Sequence, residues 1–423
     1  LARSLADSIV DFRSMARAIG SLCRDGALVV LDEFQFFTRA KLRPFTSHLQ
    51  SEVDQLRMAN LKRGGLLVLG SIQMEMAALL EDNSAPLYGR TTEKMHLDHW
   101  DFEDLLSVFR HQQVLLPEQW LTLWTFFEGV PKYYHDAHEN GLFDVPPSQL
   151  PAELLTRLFI RSGAPLSDEA DTTFLRELRG RVVSILHHLA RCPGSTFSEL
   201  EAALKPPVSE PKDNNIGAFL GRLVNDYAMV EKLNPIFSKD GKGRNARYYI
   251  SDNFLQAWLN VARHAQDLAR LKPLARALPS AITRLETLEG ISLERLIRKL
   301  HVECSRKGKG DFDLSEVKIG YWNRPANASR SIEIDVVAID EANKRIRFGS
   351  CKRNPAAHSN ASLDGFEGHI GRFLAAPQYR YLAAWKTERV LFSPAFTSAQ
   401  RDALRKKGYE CLDLQDYARL FPA

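Results

Sequence analysis

Residues able to do metal or phosphoryl chemistry gather at two places in this sequence. The first is Leu28-Val29-Val30-Leu31-Asp32-Glu33, a short apolar run closed by two acids. Such a run reads as a strand buried on both faces of a parallel sheet. In open α/β sheets, ligands bind beyond the carboxyl ends of the strands. Phosphoryl transfer needs one acid to hold magnesium and a second group to orient the attacking water. Asp32 and Glu33 suit those roles in that order. The same residues also fit a polar strand end that merely faces solvent. The second place is Ile332-Glu333-Ile334-Asp335-Val336-Val337, followed across the turn Asp340–Lys344 by Phe348-Gly349-Ser350-Cys351-Lys352. Alternation puts Glu333 and Asp335 on one face of a strand. Two acids bind a divalent metal, and a lysine on the neighbouring strand helps position or activate water.

The elements that must carry these residues follow from spacing. Helical periodicity covers Ser4–Arg24 and roughly Pro44–Ala59, and a second apolar run, Leu66–Leu69, ends in Gly70-Ser71. Strand, helix, strand at this spacing suits a right-handed crossover. From about Asp101 to Arg161 the pattern is helical, interrupted at Gly129-Val130-Pro131 and at Pro146-Pro147. Trp120 and Trp124, four apart, read as core packing. Next come helices over Leu178–Ala190, Phe197–Leu204 and Asn214–Asp226, with Thr196 and Glu199 forming a capping box. Two strands follow, Val230–Phe237 and Ala246–Ile250. Three helices and a hairpin make the winged-helix order. The turn carries Lys239, Lys242 and Arg244, with Arg247 just beyond it, and such a basic tip suits contacts to nucleic-acid phosphates. The helix Asn214–Asp226 is poor in lysine and arginine, which favours a structural or regulatory module. The last part begins with helices over Phe254–Arg270 and Leu293–Glu303. It continues with strands Ser331–Asp340 and Arg345–Cys351, a helix near Gly365–Ala375 and a strand near Glu388–Ser393.

Composition narrows the classes. A length of 423 residues suits about three domains. Net charge is +4, with 44% hydrophobic and 26% charged residues, a globular balance that permits nucleic-acid contact without demanding it. No apolar run approaches the ~18–20 residues of a membrane span. The five scattered cysteines form no CxxC, which argues against a zinc site or a disulfide framework and for the cytoplasm.

Leu31-Asp32-Glu33-Phe34-Gln35, Gly70-Ser71, Pro86-Leu87-Tyr88-Gly89-Arg90 and Gly129-Val130-Pro131-Lys132-Tyr133 occur in an order that resembles the prokaryotic ATPases often called archaeal-type AAA ATPases, relatives of the STAND NTPases. The resemblance spans essentially the whole chain. It implies a multidomain α/β protein with a partial P-loop NTPase core (1–105), a helical lid (106–172) and a winged helix (173–252). A helical connector with a restriction-endonuclease-like PD-(D/E)xK domain (253–423) follows. On that resemblance Asp32 and Glu33 are the Walker B pair, with Asp32 as the Mg ligand. Ser71 is the first sensor, Arg90 a phosphate-facing arginine, and Gly129 and Pro131 the lid motif near adenine. In the C-terminal domain, Glu294 is the upstream helical acid beside Glu333, Asp335 and Lys352, and Asp335 is a candidate metal ligand.

Two departures stand out. No GxxxxGK[ST] occurs in the chain. Either it lies upstream of the first residue or this member lacks it, and the chain as it stands is expected to bind ATP weakly or not at all. Ser350 stands two residues before Lys352 where the nuclease pattern has Glu, and Glu333 is the residue placed to substitute. The expected function is an ATP- and Mg-dependent conformational switch, in which nucleotide closes the lid and the winged helix relays the motion to the C-terminal domain. The alternative is a DNA-binding protein or divalent-metal-dependent nuclease, and a third reading is a protein-interaction module. No membrane partner is expected, and the sequence names no protein partner or oligomeric state.

Overall fold

The computed structural model describes residues 9–59, 63–70, 73–114, 116–176, 178, 180–204, 215–238, 245–323, 325 and 330–422. It is a multidomain protein of mixed helix and sheet, and its chain contacts divide it into two compact units, residues 1–98 and 99–423. Among the described residues, no helix is long and apolar enough to cross a membrane.

In the first unit, α1 (Phe12–Arg24) opens on a capping box between Asp11 and Ser14. It is followed by β1 (Leu28–Leu31), α2 (Pro44–Met58), β2 (Gly65–Val68) and α3 (Gln73–Leu80). β1 and β2 pair in parallel, Leu28 opposite Gly65 through Leu31 opposite Val68. Val29, Leu31, Leu66 and Val68 pack on a core built from Ala16, Ile19, Phe45 and Leu49 of α1 and α2. The expectation of strands buried on both faces is corrected here. Leu28, Val30 and Leu67 are exposed, because the described helices of this unit cover one face of a two-stranded sheet.

The second unit begins with a helical layer. It comprises α4 (Phe102–His111), α5 (Pro117–Phe127), α6 (Pro131–Glu139), α7 (Leu150–Leu155) and α8 (Glu169–Thr173). Every residue of α5 except Glu118 is buried. Trp120 stacks flat on Phe109, ring centroids 5.8 Å apart, as core packing requires. Next come α9 (Arg181–Arg191), α10 (Phe197–Ala203), α11 (Ile216–Asn225) and the antiparallel hairpin β3 (Val230–Leu233) and β4 (Arg247–Ile250). The Thr196–Glu199 capping box is present, with the Thr196 N–H donating to the Glu199 carboxylate at 2.8 Å. α12 (Asn253–Ala257) and α13 (Arg263–Ala269) lead into α14 (Leu274–Arg306), a single helix of 33 residues.

After α14 the chain forms a short antiparallel pair, β5 (Tyr321–Trp322) with β6 (Glu333–Ile334), and then β7 (Val336–Asp340) and β8 (Arg345–Cys351). α15 (Asn360–Ala375), β9 (Lys386–Ser393), α16 (Ser398–Arg405), β10 (Glu410–Asp413) and α17 (Leu414–Leu420) complete it. The four-stranded sheet has the order β10-β9-β8-β7, antiparallel between β7 and β8 and parallel elsewhere. Alternate residues serve opposite layers. Val336, Ala338, Val390 and Phe392 pack with Ile297 and Leu300 of α14, while Val337, Ile339, Ile346 and Leu391 pack with Phe366, Ile370 and Phe373 of α15. The stretch read as one strand, Ser331–Asp340, is interrupted at Asp335, which lies between β6 and β7.

Candidate functional site

In the first unit, hydrogen bonds carry the β1–β2 pairing one step past the strands. Leu69 N–H donates to the Leu31 carbonyl at 2.9 Å, and Phe34 N–H donates to the Leu69 carbonyl at 2.8 Å. Asp32 and Glu33 therefore emerge at the carboxyl edge beside Leu69 and Gly70, and both are exposed. Glu33 has a φ of 53°, in the left-handed region that a glutamate rarely visits. Its N–H donates to Asp32 Oδ1 at 2.8 Å, and the Gln35 amide donates to its carboxylate. Strain of this kind, of order 1–3 kcal/mol, persists where surrounding contacts impose it and clusters at functional sites. Ser71 lies outside the described residues. Arg90 is held by Asp54 of α2 in a two-point bond, Nε to Oδ1 at 2.8 Å and Nη2 to Oδ2 at 3.1 Å, and its third bond goes to the Tyr88 carbonyl.

Gly129 and Pro131 lie in the second unit, at the turn between α5 and α6. Pro131 takes the first helical position of α6, where its missing N–H costs nothing. Gly129 receives a backbone hydrogen bond from Trp100 N–H at 2.8 Å. Beside it, Glu128 is buried against Lys299 of α14, with His99 Nδ1 at 3.6 Å. Burial alone pushes the Glu128 carboxyl up. The hydrogen bond from His99 and the charges of Lys299 and Arg295 outweigh it, so Glu128 titrates well below the usual carboxylate range. This cluster unites residues 99, 128 and 299, too far apart in sequence for any local pattern to show it.

The C-terminal residues do converge. Asp335 Oδ2 accepts the Cys351 N–H at 2.8 Å, which ties the break after β6 to the end of β8 and places Lys352 next to it. Glu294 reaches the same recess from α14. Arg298, one turn further along α14, donates Nε and Nη2 to the Asp335 carbonyl at 3.1 and 3.0 Å and approaches Glu294 Oε2 at 3.5 Å. Glu294 keeps 33% of its side-chain surface exposed. Burial, and next the charge of Asp335, push its carboxyl up to about 8, against the opposing pull of Arg298 and Lys352. Burial also raises Asp335, although the Cys351 N–H and the charges of Lys352 and Arg298 work against it. Among the described residues, no hydrogen bond or ion pair engages the Lys352 ammonium. Arg298 is not part of the sequence pattern, and its i,i+4 spacing from Glu294 is the signal that points to it.

Glu333 and Arg247 are placed differently from expectation. Glu333 is bonded to Arg247 Nη1 at 2.8 Å. Arg247 itself lies 4.9 Å from the centre of the Trp322 ring and keeps 19% of its side-chain surface exposed. It is a packed, ion-paired residue at the seam between β4 and the β5–β6 pair, with no free cation to offer a phosphate. The hairpin is docked on its other side too, since Ile236 N–H donates to the Gly320 carbonyl at 2.9 Å and Phe237 packs on Tyr379. Lys239, Lys242 and Arg244 lie outside the described residues.

One further acidic cluster, Asp101, Glu103 and Glu303, has oxygens close enough to share a cation. Lys307 already occupies it, at 2.5, 2.6 and 3.1 Å from the three carboxylates. No family model, no curated protein and no solved structure matches this chain.

Proposed function

We propose that this chain carries the switch and effector parts of a nucleotide-driven ATPase. The observation that carries the reading is the β1–β2 edge: a parallel, in-register strand pair whose carboxyl end presents Asp32 and a conformationally strained Glu33. In this reading Asp32 would hold Mg and Glu33 would orient the water that attacks the terminal phosphate. The helices and hairpin of 173–252 act as a winged helix that couples the core to the C-terminal domain, and the packed, ion-paired Arg247 supports a structural role for β4. The test is ATP hydrolysis by the protein as its own gene expresses it. Glu33→Gln is expected to lower hydrolysis by about 100-fold or more while ATP binding persists. Hydrolysis unchanged by Glu33→Gln overturns the assignment.

A second site is favoured by a separate observation, the meeting of Glu294, Asp335 and Lys352 in one recess. Two partly buried carboxylates, the charge of Asp335 raising the proton affinity of Glu294, with a lysine beside them that has no partner among the described residues, fit a hard divalent cation such as Mg or Mn. Glu294 and Asp335 would hold it, Arg298 fixes the Asp335 backbone, and Lys352 would position water or a phosphate oxygen. The bound ion supplies charge to a phosphodiester under attack. The recess is therefore read as a PD-(D/E)xK-like metal centre acting on nucleic acid. Mn binding followed by electron paramagnetic resonance tests it. Asp335→Asn is expected to weaken Mn binding by roughly tenfold or more, and equal binding by the two proteins would sink the reading.

A further inference from the structure

The Glu294–Asp335 recess has a third carboxylate within electrostatic reach. The charge of Glu333 is felt by both acids. Its backbone is fixed, with Glu333 paired to Trp322 in the β5–β6 ladder and its N–H donating to His369 Nδ1 at 3.1 Å. Its side chain is not fixed by packing, since 58% of its surface is exposed. Among the described residues, the one partner of that carboxylate is Arg247, and Arg247 belongs to β4, the last strand of the hairpin module. The contact is closed from three sides. Arg247 lies over Trp322, the Trp322 indole N–H donates to the Asn245 carbonyl at 2.6 Å, and Glu333 sits directly across the ladder from Trp322. A carboxylate two residues from Asp335 is thus held at the rim of the recess by a cation from a different module. Position 350, on the strand opposite, offers only a serine.

We propose that Glu333 is a third cation ligand held out of the recess by Arg247, so that Arg247 of β4 gates metal loading at the Glu294–Asp335 centre. The proposal rests on the reading of that recess as a divalent-cation centre. With Arg247 engaged, the centre has two carboxylates, which suffice only for weak binding. When Arg247 leaves Glu333, the Glu333 side chain turns inward by rotation about its own bonds, while its backbone stays on His369 and Trp322. A hard cation gains affinity with each carboxylate it collects.

Mn titrations of the full chain test this. Arg247→Met keeps the aliphatic stem over Trp322 and removes the charge. It is expected to tighten Mn binding roughly tenfold, and the double variant Arg247→Met/Glu333→Gln is expected to lose that gain. Arg247→Lys, with a shorter reach to Glu333, serves if Arg247→Met melts below the assay temperature, and a smaller gain of the same sign is expected. A gain that survives in the Glu333→Gln background is plain relief of charge repulsion and overturns the gate. Wild-type binding that depends on Asp335 but does not change on loss of Arg247 also overturns the gate and leaves the cation centre standing. If no variant binds Mn, the cation centre fails and the gate with it.

Discussion

Glu294→Gln is expected to stabilise the metal-free protein at pH 8–9 while abolishing its response to divalent cations. In the folded chain burial and Asp335 hold the Glu294 proton up to about pH 8, whereas the unfolded chain releases it near 4.5. The folded state therefore binds more protons between those values, so stability falls as pH rises through this window and stays low above it. A neutral amide removes the penalty. With Glu294 a third exposed, the discounted gain above pH 8 is on the order of 2 kcal/mol, and below pH 4.5 it vanishes. Divalent cation removes the same penalty by a different route, since a ligand at 100 times its Kd stabilises by about 2.7 kcal/mol. Thermal melts with and without Mn read both effects. The wild type should gain from Mn and the variant should not. A Glu294→Gln protein that is less stable than wild type at pH 8 would contradict the argument. A rise in stability bought by loss of a binding group is the expected trade at a functional site.

The second large effect is on folding. Gly129→Ala is expected to destabilise the second unit by about 3 kcal/mol or more. A Cβ at position 129 would lie 2.0 Å from the Trp100 carbonyl oxygen and 2.7 Å from its nitrogen. Both are backbone atoms, and relief would break the hydrogen bond from Trp100 N–H to the Gly129 carbonyl. Gly221 in α11 is the matched control. A Cβ there meets nothing within 4 Å, and alanine in a helix interior is favoured over glycine by ~0.5–1 kcal/mol. Urea unfolding of the two variants should move in opposite directions. A Gly129→Ala protein as stable as wild type would mean that the Trp100 segment yields freely.

The sequence was most informative where pattern and partner are local. The β7–β8 hairpin follows from period-two alternation across Asp340–Lys344, and the Thr196–Glu199 box from three-residue spacing. α14 is legible only over Leu293–Glu303, whereas the helix runs from Leu274 to Arg306 with Pro279 accommodated in its first turns. α16, β10 and α17 have no counterpart in the sequence pattern. Arg247 shows the limit most clearly. In sequence it is one of four basic residues around a turn; its partners Trp322 and Glu333 lie far along the chain, and only the folded seam reveals that its charge is taken. The open face of β1 and β2 is the reverse case, since an apolar run reports what a strand could bury, not whether a second layer covers it. Glu294 is marked by the resemblance and Arg298 by its spacing from Glu294, while the bonds from Arg298 to the Asp335 carbonyl show only in the fold.

α14 has a mechanical consequence. Proline removes one helical hydrogen bond and crowds the preceding turn, so at Pro279 this rod has one backbone bond fewer. Glu294 stands 15 residues beyond it, a lever arm of about 23 Å at 1.5 Å per residue. Pivoting the rod by about 3° there carries the Glu294 carboxylate about 1.2 Å sideways, more than the ~0.5 Å that a preorganised constellation tolerates. A small tilt of the helix beyond Pro279 is therefore read out as an ångström-scale displacement of Glu294 beside Asp335.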